Sequence, residues 1–177
     1  VKGVRGERIA AILGDLVDAE AAVALKDLMA ALGSPHVDCR QDGAKLDARA
    51  RAGYLFNSTI AGIEGADAVL LVATNPRAEA PLVMSRLRKA WIAQNAKLAA
   101  IGPVPPGSLK VEGLGAAPAL LKQIADGRHP FAQALKTAKR PALILGQGAL
   151  ARADGAAVLA TARRLAEAQG LIRADWN

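Results

Sequence analysis

The sequence predicts an α/β fold in which a largely parallel sheet carries helices on both faces. Two observations carry this. Four segments repeat one grammar, a short apolar run followed by a Gly- or Asn-containing turn, and in at least three a helical pattern comes next. The apolar runs also lack the alternation of polar and apolar residues that marks a sheet with one wet face. Strands near Ile9, Val69, Leu98 and Leu143 are therefore expected side by side in one sheet.

The first segment runs from Ile9 to Leu13, turns at Gly14-Asp15, and continues as a helix over Asp18 to Leu32. Leu25, Leu28, Met29 and Leu32 share one face, Asp18 suits the N-cap, and Gly33 suits the stop. The second is ADAVLLVATNPRAEAP, Ala66 to Pro81, whose helix from Pro81 turns Val83, Leu87, Ala90 and Trp91 inward and leaves Arg86, Arg88 and Lys89 largely outside. The third, Leu98 to Ile101, leads into a Pro- and Gly-rich stretch, 102–115, expected as a flexible loop before a helix near Pro118 with Leu120, Leu121 and Ile124. The fourth is Ala142 to Leu145, then Gly146-Gln147-Gly148, then a helix from Asp154 to Gln169 closed by Gly170. Segments one and four are weakly self-similar. Between the first two, Tyr54-Leu55-Phe56 reads as a short edge strand and Thr59 to Glu64 as one or two helical turns. The whole is a Rossmann-like arrangement.

With 177 residues, 52% of them hydrophobic, the chain can build one real core, and residues 1–177 read as one α/β domain fragment of a longer chain. No initiating Met is present, and Leu171-Ile172 looks like the start of another strand. A fragment cut there is expected to expose an apolar patch at Leu171, Ile172 and Trp176. Apolar runs reach only about five to seven residues against the ~20 needed to cross a bilayer, so a soluble chain without direct membrane insertion is expected. The lone Cys39 excludes an internal disulfide and any multi-thiolate cluster built from this chain.

The net charge of +7 raises the question of nucleic acid. Basic residues are spread over Arg40 to Arg51, Arg86 to Lys89, Lys136 to Arg140 and Arg163 to Arg173, and no aromatic interleaves with them as a stacking platform requires. No nucleic-acid partner is expected. A solvated basic surface, or docking on an acidic partner subunit, accounts for the charge.

Two stretches have chemical readings beside structural ones. Gly146-Gln147-Gly148-Ala149-Leu150-Ala151 fits G-x-G-x-x-A after a strand, which suits a pyrophosphate or simply a close-packed strand-to-helix turn. The acidic residue that a dinucleotide site places about 20 positions on is missing. Thr74-Asn75-Pro76-Arg77 either holds an anion through backbone N–H groups, the Asn amide and Arg77, or merely ends a strand. His36 and His129 lack partners at metal-ligand spacing, and His129 before Pro130-Phe131 suits a cap or a packing position rather than catalysis. Ser34, Ser58, Ser85 and Ser108 lack G-x-S-x-G surroundings, while Asp15, Asp18, Glu20 and Asp27 read as caps and helix surface. No catalytic, cofactor-binding or metal-binding residue is expected.

Ile63-Glu64-Gly65-Ala66-Asp67, then Val69 to Val72 and Thr74-Asn75-Pro76, resemble the molybdopterin oxidoreductase fold, in which a Gly-Ser/Thr-Asn-Pro turn contacts the nucleotide end of a pterin cofactor. The strings GDLVDAEAAVALKDL, CRQDGAKLD, YLFNSTIAGIEGAD, TNPRAEAP, RLRKAW and HPF are similar to the large iron–sulfur subunit of bacterial respiratory complex I, the NADH-quinone oxidoreductase. That resemblance covers nearly the whole chain. It implies the C-terminal, molybdopterin-like region: a noncatalytic scaffold in a subunit whose iron–sulfur clusters lie in an N-terminal part, passing electrons from NADH toward quinone. It further implies other subunits of the peripheral arm as partners and a place on the cytoplasmic side of the inner membrane. A molybdopterin-dinucleotide-binding domain of a formate-dehydrogenase-like enzyme is the alternative. Ala73 stands where the cofactor-dependent relatives commonly carry glycine, adding a Cβ where backbone must approach a ligand, so the turn is expected to be inherited architecture.

Overall fold

The computed structural model describes residues 3–14, 16–39, 43–47, 49 and 51–176. The chain divides into two compact units, Val1–Gly43 and Ala44–Asn177.

In the first unit, strand β1 (Ala11–Ile12) and strand β2 (Val37–Asp38) pair in parallel, Ala11 opposite Val37. Helix α1 (Ala19–Ala31) joins them. Asp18 caps it as the sequence predicts, its carboxylate accepting from the Ala21 N–H at 2.7 Å. Gly33, with φ +69°, ends it. Of the predicted apolar face, Met29 is buried and Leu25 and Leu32 are half-buried, but Leu28 is 54% exposed. The single-sheet expectation is corrected here. The strand near Ile9 does not join those near Val69, Leu98 and Leu143, because its two residues find a ladder in Val37–Asp38, just past the end of α1.

The second unit begins its regular structure with a 3₁₀ turn, Arg51–Gly53. Tyr54-Leu55-Phe56 forms no strand. The N–H groups of Tyr54 and Leu55 both fold back to the Arg51 carbonyl, at 3.1 and 2.7 Å, and a turn closed in this way leaves no extended backbone to pair. Helix α2 (Thr59–Gly62) and a 3₁₀ turn (Ile63–Gly65) supply the helical turns expected there.

Four strands follow: β3 (Ala68–Val72), β4 (Lys97–Ile101), β5 (Glu112–Gly115) and β6 (Pro141–Leu145). Their order is β5-β4-β3-β6, and every pairing is parallel. Between β3 and β4 lie α3 (Pro76–Glu79) and α4 (Pro81–Gln94). Helices α5 (Ala119–Ala125) and α6 (Pro130–Thr137) lead from β5 to β6, and α7 (Gln147–Leu150) and α8 (Gly155–Ala168) follow it. β5 falls inside the stretch 102–115 that reads as a loop, tied in by the Gly102 N–H donating to the Gly115 carbonyl at 2.8 Å.

The pleat sorts the core. Ala68, Leu70 and Val72, with Ala99 and Ile101, pack against Leu121 and Ile124 of α5, Phe131 and Leu135 of α6, and Leu165 of α8. Val69 and Leu71, with Leu98 and Ala100, meet Ile63, Leu87 and Ala90 of α4, and Trp176. Both faces are thus dry, which explains why β3 reads as an unbroken apolar run, and each leucine so buried contributes about 1.5–3 kcal/mol. The apolar patch expected at the chain end is corrected as well, since Leu171 and Trp176 are buried in these two clusters and only Ile172 is exposed.

Asp67 pins the strand starts together. Its carboxylate accepts from the N–H groups of Lys139 and Arg140 at 2.7 and 2.8 Å, and its carbonyl accepts from the Lys97 N–H at 3.0 Å. Asp126, at the end of α5, gathers Lys122 at 2.7 Å, Arg128, and Arg164 of α8 at 2.8 Å. These partners, Lys122 foremost, hold its carboxyl down to about 2.

Two outcomes are expected. Asp67→Ala should lower unfolding free energy in urea by about 1–3 kcal/mol, the cost of orphaning two charge-assisted bonds, and a loss under about 0.5 kcal/mol would show the strand starts hold without it. For Asp126 the folded pKa lies below the unfolded value, so its stabilisation is present above about pH 4 and fades as pH falls toward about 2. The gap in urea midpoint between the parent and Asp126→Asn should therefore close between about pH 5 and about pH 2.

Candidate functional site

The sheet order reverses at β3, which reaches β4 on one side and β6 on the other. In open α/β sheets ligands gather beyond the carboxyl ends of the strands at such a reversal. Here the Thr74-Asn75-Pro76-Arg77 turn leaves β3 and Gly146 leaves β6. Ala73, between β3 and the turn, has φ +48°, a left-handed conformation that costs a residue with a Cβ. Its N–H donates to the Ile101 carbonyl at 2.8 Å, and the Gly146 N–H donates to Val72 at 2.8 Å, so both sheet neighbours grip this end of β3.

The glycine pair of G-x-G-x-x-A divides in role. A Cβ on Gly146 would stand 2.1 Å from the Ala73 carbonyl oxygen and 2.8 Å from the Thr74 Cβ, an approach only glycine permits. A Cβ on Gly148 would meet the same oxygen at 3.8 Å, an ordinary contact. The first glycine thus answers to backbone packing within the sheet.

Several polar groups of the turn have partners within the protein. The Thr74 hydroxyl donates to Glu79 Oε2 at 3.0 Å, and the Asn75 N–H donates to Glu79 Oε1 at 2.6 Å. Asn75 caps α3 by accepting from the Arg77 N–H at 3.2 Å. The Arg77 guanidinium donates to the Pro106 carbonyl at 3.1 Å, across the sheet end near Gly107. One carboxylate therefore occupies the donors nearest the strand, and the cation that could have held a phosphate is turned onto the loop before β5. Glu79 is the residue of this turn that the motifs do not single out. Its signal is Thr-Asn-Pro-Arg-Ala-Glu, where the acid comes four residues after the cap, one beyond the capping-box spacing.

The remaining candidates stand apart. His129 is a cap, its Nδ1 accepting from the Phe131 N–H at 3.1 Å with Pro130 in the first turn of α6. Ser34 donates to the Ile9 carbonyl at 2.6 Å, and His36 and Cys39 are exposed. Glu20 and Asp27 lie on the exposed surface of α1, and Asp15 lies outside the described residues. Arg88 is exposed, while Arg86 and Lys89 both reach Glu64, whose carboxyl Arg86 and then Lys89 hold below its ordinary range. Among the described residues no three His, Cys, Asp or Glu side chains stand close enough to hold a metal ion. No helix of the described residues is long and apolar enough to cross a membrane.

The asymmetry between the glycines is testable. Gly146→Ala should destabilise by about 1–3 kcal/mol or prevent folding, as overpacking against backbone does, whereas Gly148→Ala should stay within about 0.5 kcal/mol of the parent in thermal unfolding. Equal tolerance at both positions would contradict the packing role.

Residues 2–177 match the family described as molybdopterin oxidoreductase. The chain is 43% identical over 174 residues to the mitochondrial NADH dehydrogenase [ubiquinone] iron-sulfur protein 1 of Solanum tuberosum, covering 98% of this chain and 24% of that protein. It is 40% identical to a subunit of the NADH-quinone oxidoreductase of Rickettsia conorii and 37% identical to the corresponding subunit of Rickettsia bellii, in each case covering 100% of this chain and 26% of the relative. It thus spans about a quarter of the length of these relatives. A crystal structure of the formyltransferase/hydrolase complex of Methylorubrum extorquens with methylofuran shares the fold, with a TM-score of 0.60 at 19% identity over 90% of this chain and 51% of that one. The matched residues run through both units, from the two-stranded sheet to the turn beyond β3, and the chain belongs to the molybdopterin oxidoreductase family.

Proposed function

We propose that this chain is a noncatalytic scaffold region in the iron–sulfur subunit of an NADH-quinone oxidoreductase. The names of its relatives support the subunit, and the geometry beyond β3 supports the scaffold role. The observation that carries the reading is the Glu79 carboxylate on the Thr74 hydroxyl and the Asn75 N–H. A nucleotide phosphate approaching that turn meets a negative charge where donors would be needed, and must also draw Arg77 from Pro106. The residues present do not fit the nucleotide end of a pterin cofactor, so no reaction step is assigned to them.

On this reading the iron–sulfur clusters that pass electrons from NADH toward quinone lie elsewhere in a longer chain. Other subunits of the peripheral arm are the partners, and the region lies on the cytoplasmic side of a bacterial inner membrane. The alternative, a molybdopterin-dinucleotide-binding domain of a formate-dehydrogenase-like oxidoreductase, is favoured by the position of the turn at the sheet reversal.

Isothermal titration separates the two. GMP should bind no better than about millimolar, the level of a few exposed charge-assisted contacts. Micromolar binding abolished by Arg77→Ala would overturn the scaffold reading. Metal analysis of the longer chain should agree, finding iron without molybdenum.

A further inference from the structure

The four strands of the larger sheet are parallel, so they all begin at one end, and that end carries a row of cations. Lys97 stands level with Ala68 and thus with Pro141, and Lys139 and Arg140 lead into Pro141. Glu112 lies opposite Ala99, so two residues back along each chain Lys110 comes beside Lys97. Lys136 joins them from the last turn of α6. Lys97, Lys110, Lys136 and Lys139 are exposed and make no ion pair among the described residues. The carboxylates beside them are already engaged, Asp67 by the N–H groups of Lys139 and Arg140 and Asp175 by Arg173. A cation can complement the dipole of a helix end, but that effect fades within the last turn, and of the four lysines only Lys136 is so placed. With neighbouring strands about 4.8 Å apart, the row from β5 to β6 spans roughly 15 Å, the reach of about four or five extended residues.

Lys97 and Lys110 also border an open groove of about 920 Å³. Its walls include Trp91 of α4, Val104, Pro106 and Val111 of the segment leading into β5, and Pro130 and Ala134 of α6. All six are half-buried or exposed, so their apolar surface is within reach of a ligand. Glu112 is the one carboxylate lining the groove, and it makes no ion pair with either lysine. Ammonium groups without counter-charges therefore stand at the rim of a concave apolar surface.

We propose that this end of the sheet docks a carboxylate-rich extended segment of a partner protein, with its acids on the lysine row and an apolar side chain in the groove. Charge complementarity selects the acids, and the apolar walls select a side chain that gains by leaving water. A nucleic acid fits less well, because Trp91 packs against the core on the α4 face instead of standing free as a stacking platform. A flat headgroup surface would meet the lysines but leave the groove empty. That the partner is a protein rests on the reading of this chain as one subunit among several, whereas the row and the groove are properties of the fold itself.

The probe is a labelled peptide that alternates Glu and Ser around one central Leu, titrated into the 177-residue chain at low salt and followed by anisotropy. Lys97→Gln combined with Lys110→Gln should weaken binding at least about tenfold, while Arg8→Gln combined with Lys26→Gln, which removes the same charge from the first unit, should weaken it less than about threefold. All four side chains are exposed, so both variants should keep the parent's fold. Binding should also change the Trp91 fluorescence, and a peptide with Ser in place of Leu should bind more weakly. Equal losses in the two double variants, or no binding of the peptide, would overturn the proposal. Tighter binding of oligothymidylate or of phosphatidylglycerol vesicles than of the peptide would overturn it too, by making a nucleic acid or a membrane the occupant. The GMP titration tests the scaffold reading separately, so either conclusion can fail without the other.

Discussion

The larger unit rests on one strand that is dry on both faces. Every residue of β3 is buried, so each of its peptide groups must find a partner within the protein, and parallel neighbours on both sides supply them. The same constraint dictates where the helices go. Successive side chains of β3 point to opposite faces, and each face needs its own apolar cover, with α4 on one side and α5, α6 and α8 on the other. Charged groups are confined to the ends of the strand, and there they tie: Asp67 collects the N–H groups that lead into β6.

At the other end of β3 close approach governs the turn. Ala73 adopts a left-handed conformation and Gly146 comes so near its carbonyl that no side chain fits between them. The chain then closes on itself through Glu79. In a fold whose strand ends are suited to ligands, these contacts join strand to helix at that end of β3. The family relationship and the local bonding thus concern different properties of one turn. Ancestry determines where it lies, and the residues from Thr74 to Arg77 with one carboxylate determine what its donors can do.

Part of the basic content of the chain is held locally. Arg86 and Lys89 share Glu64, Lys122, Arg128 and Arg164 share Asp126, and Arg173 and Arg140 serve the chain end. Such exposed pairs each contribute little, but they show that much of the positive charge has internal partners.

The sequence by itself determined the strand-and-helix alternation of the larger unit, the cap at Asp18, and the parallel character of the strands, because periodicity, capping and apolar runs are local properties. It misjudged what depends on pairing. Tyr54 to Phe56 had strand-forming residues but a backbone closed onto Arg51, and the apolar run at Ile9 found its ladder in Val37–Asp38. The roles of Glu79 and Gly146 were beyond its reach for the same reason. Residue type announces a carboxylate or a glycine, but which donors that carboxylate meets, and which carbonyl stands where a Cβ would be, is decided only when strands distant in sequence are brought within a few ångströms.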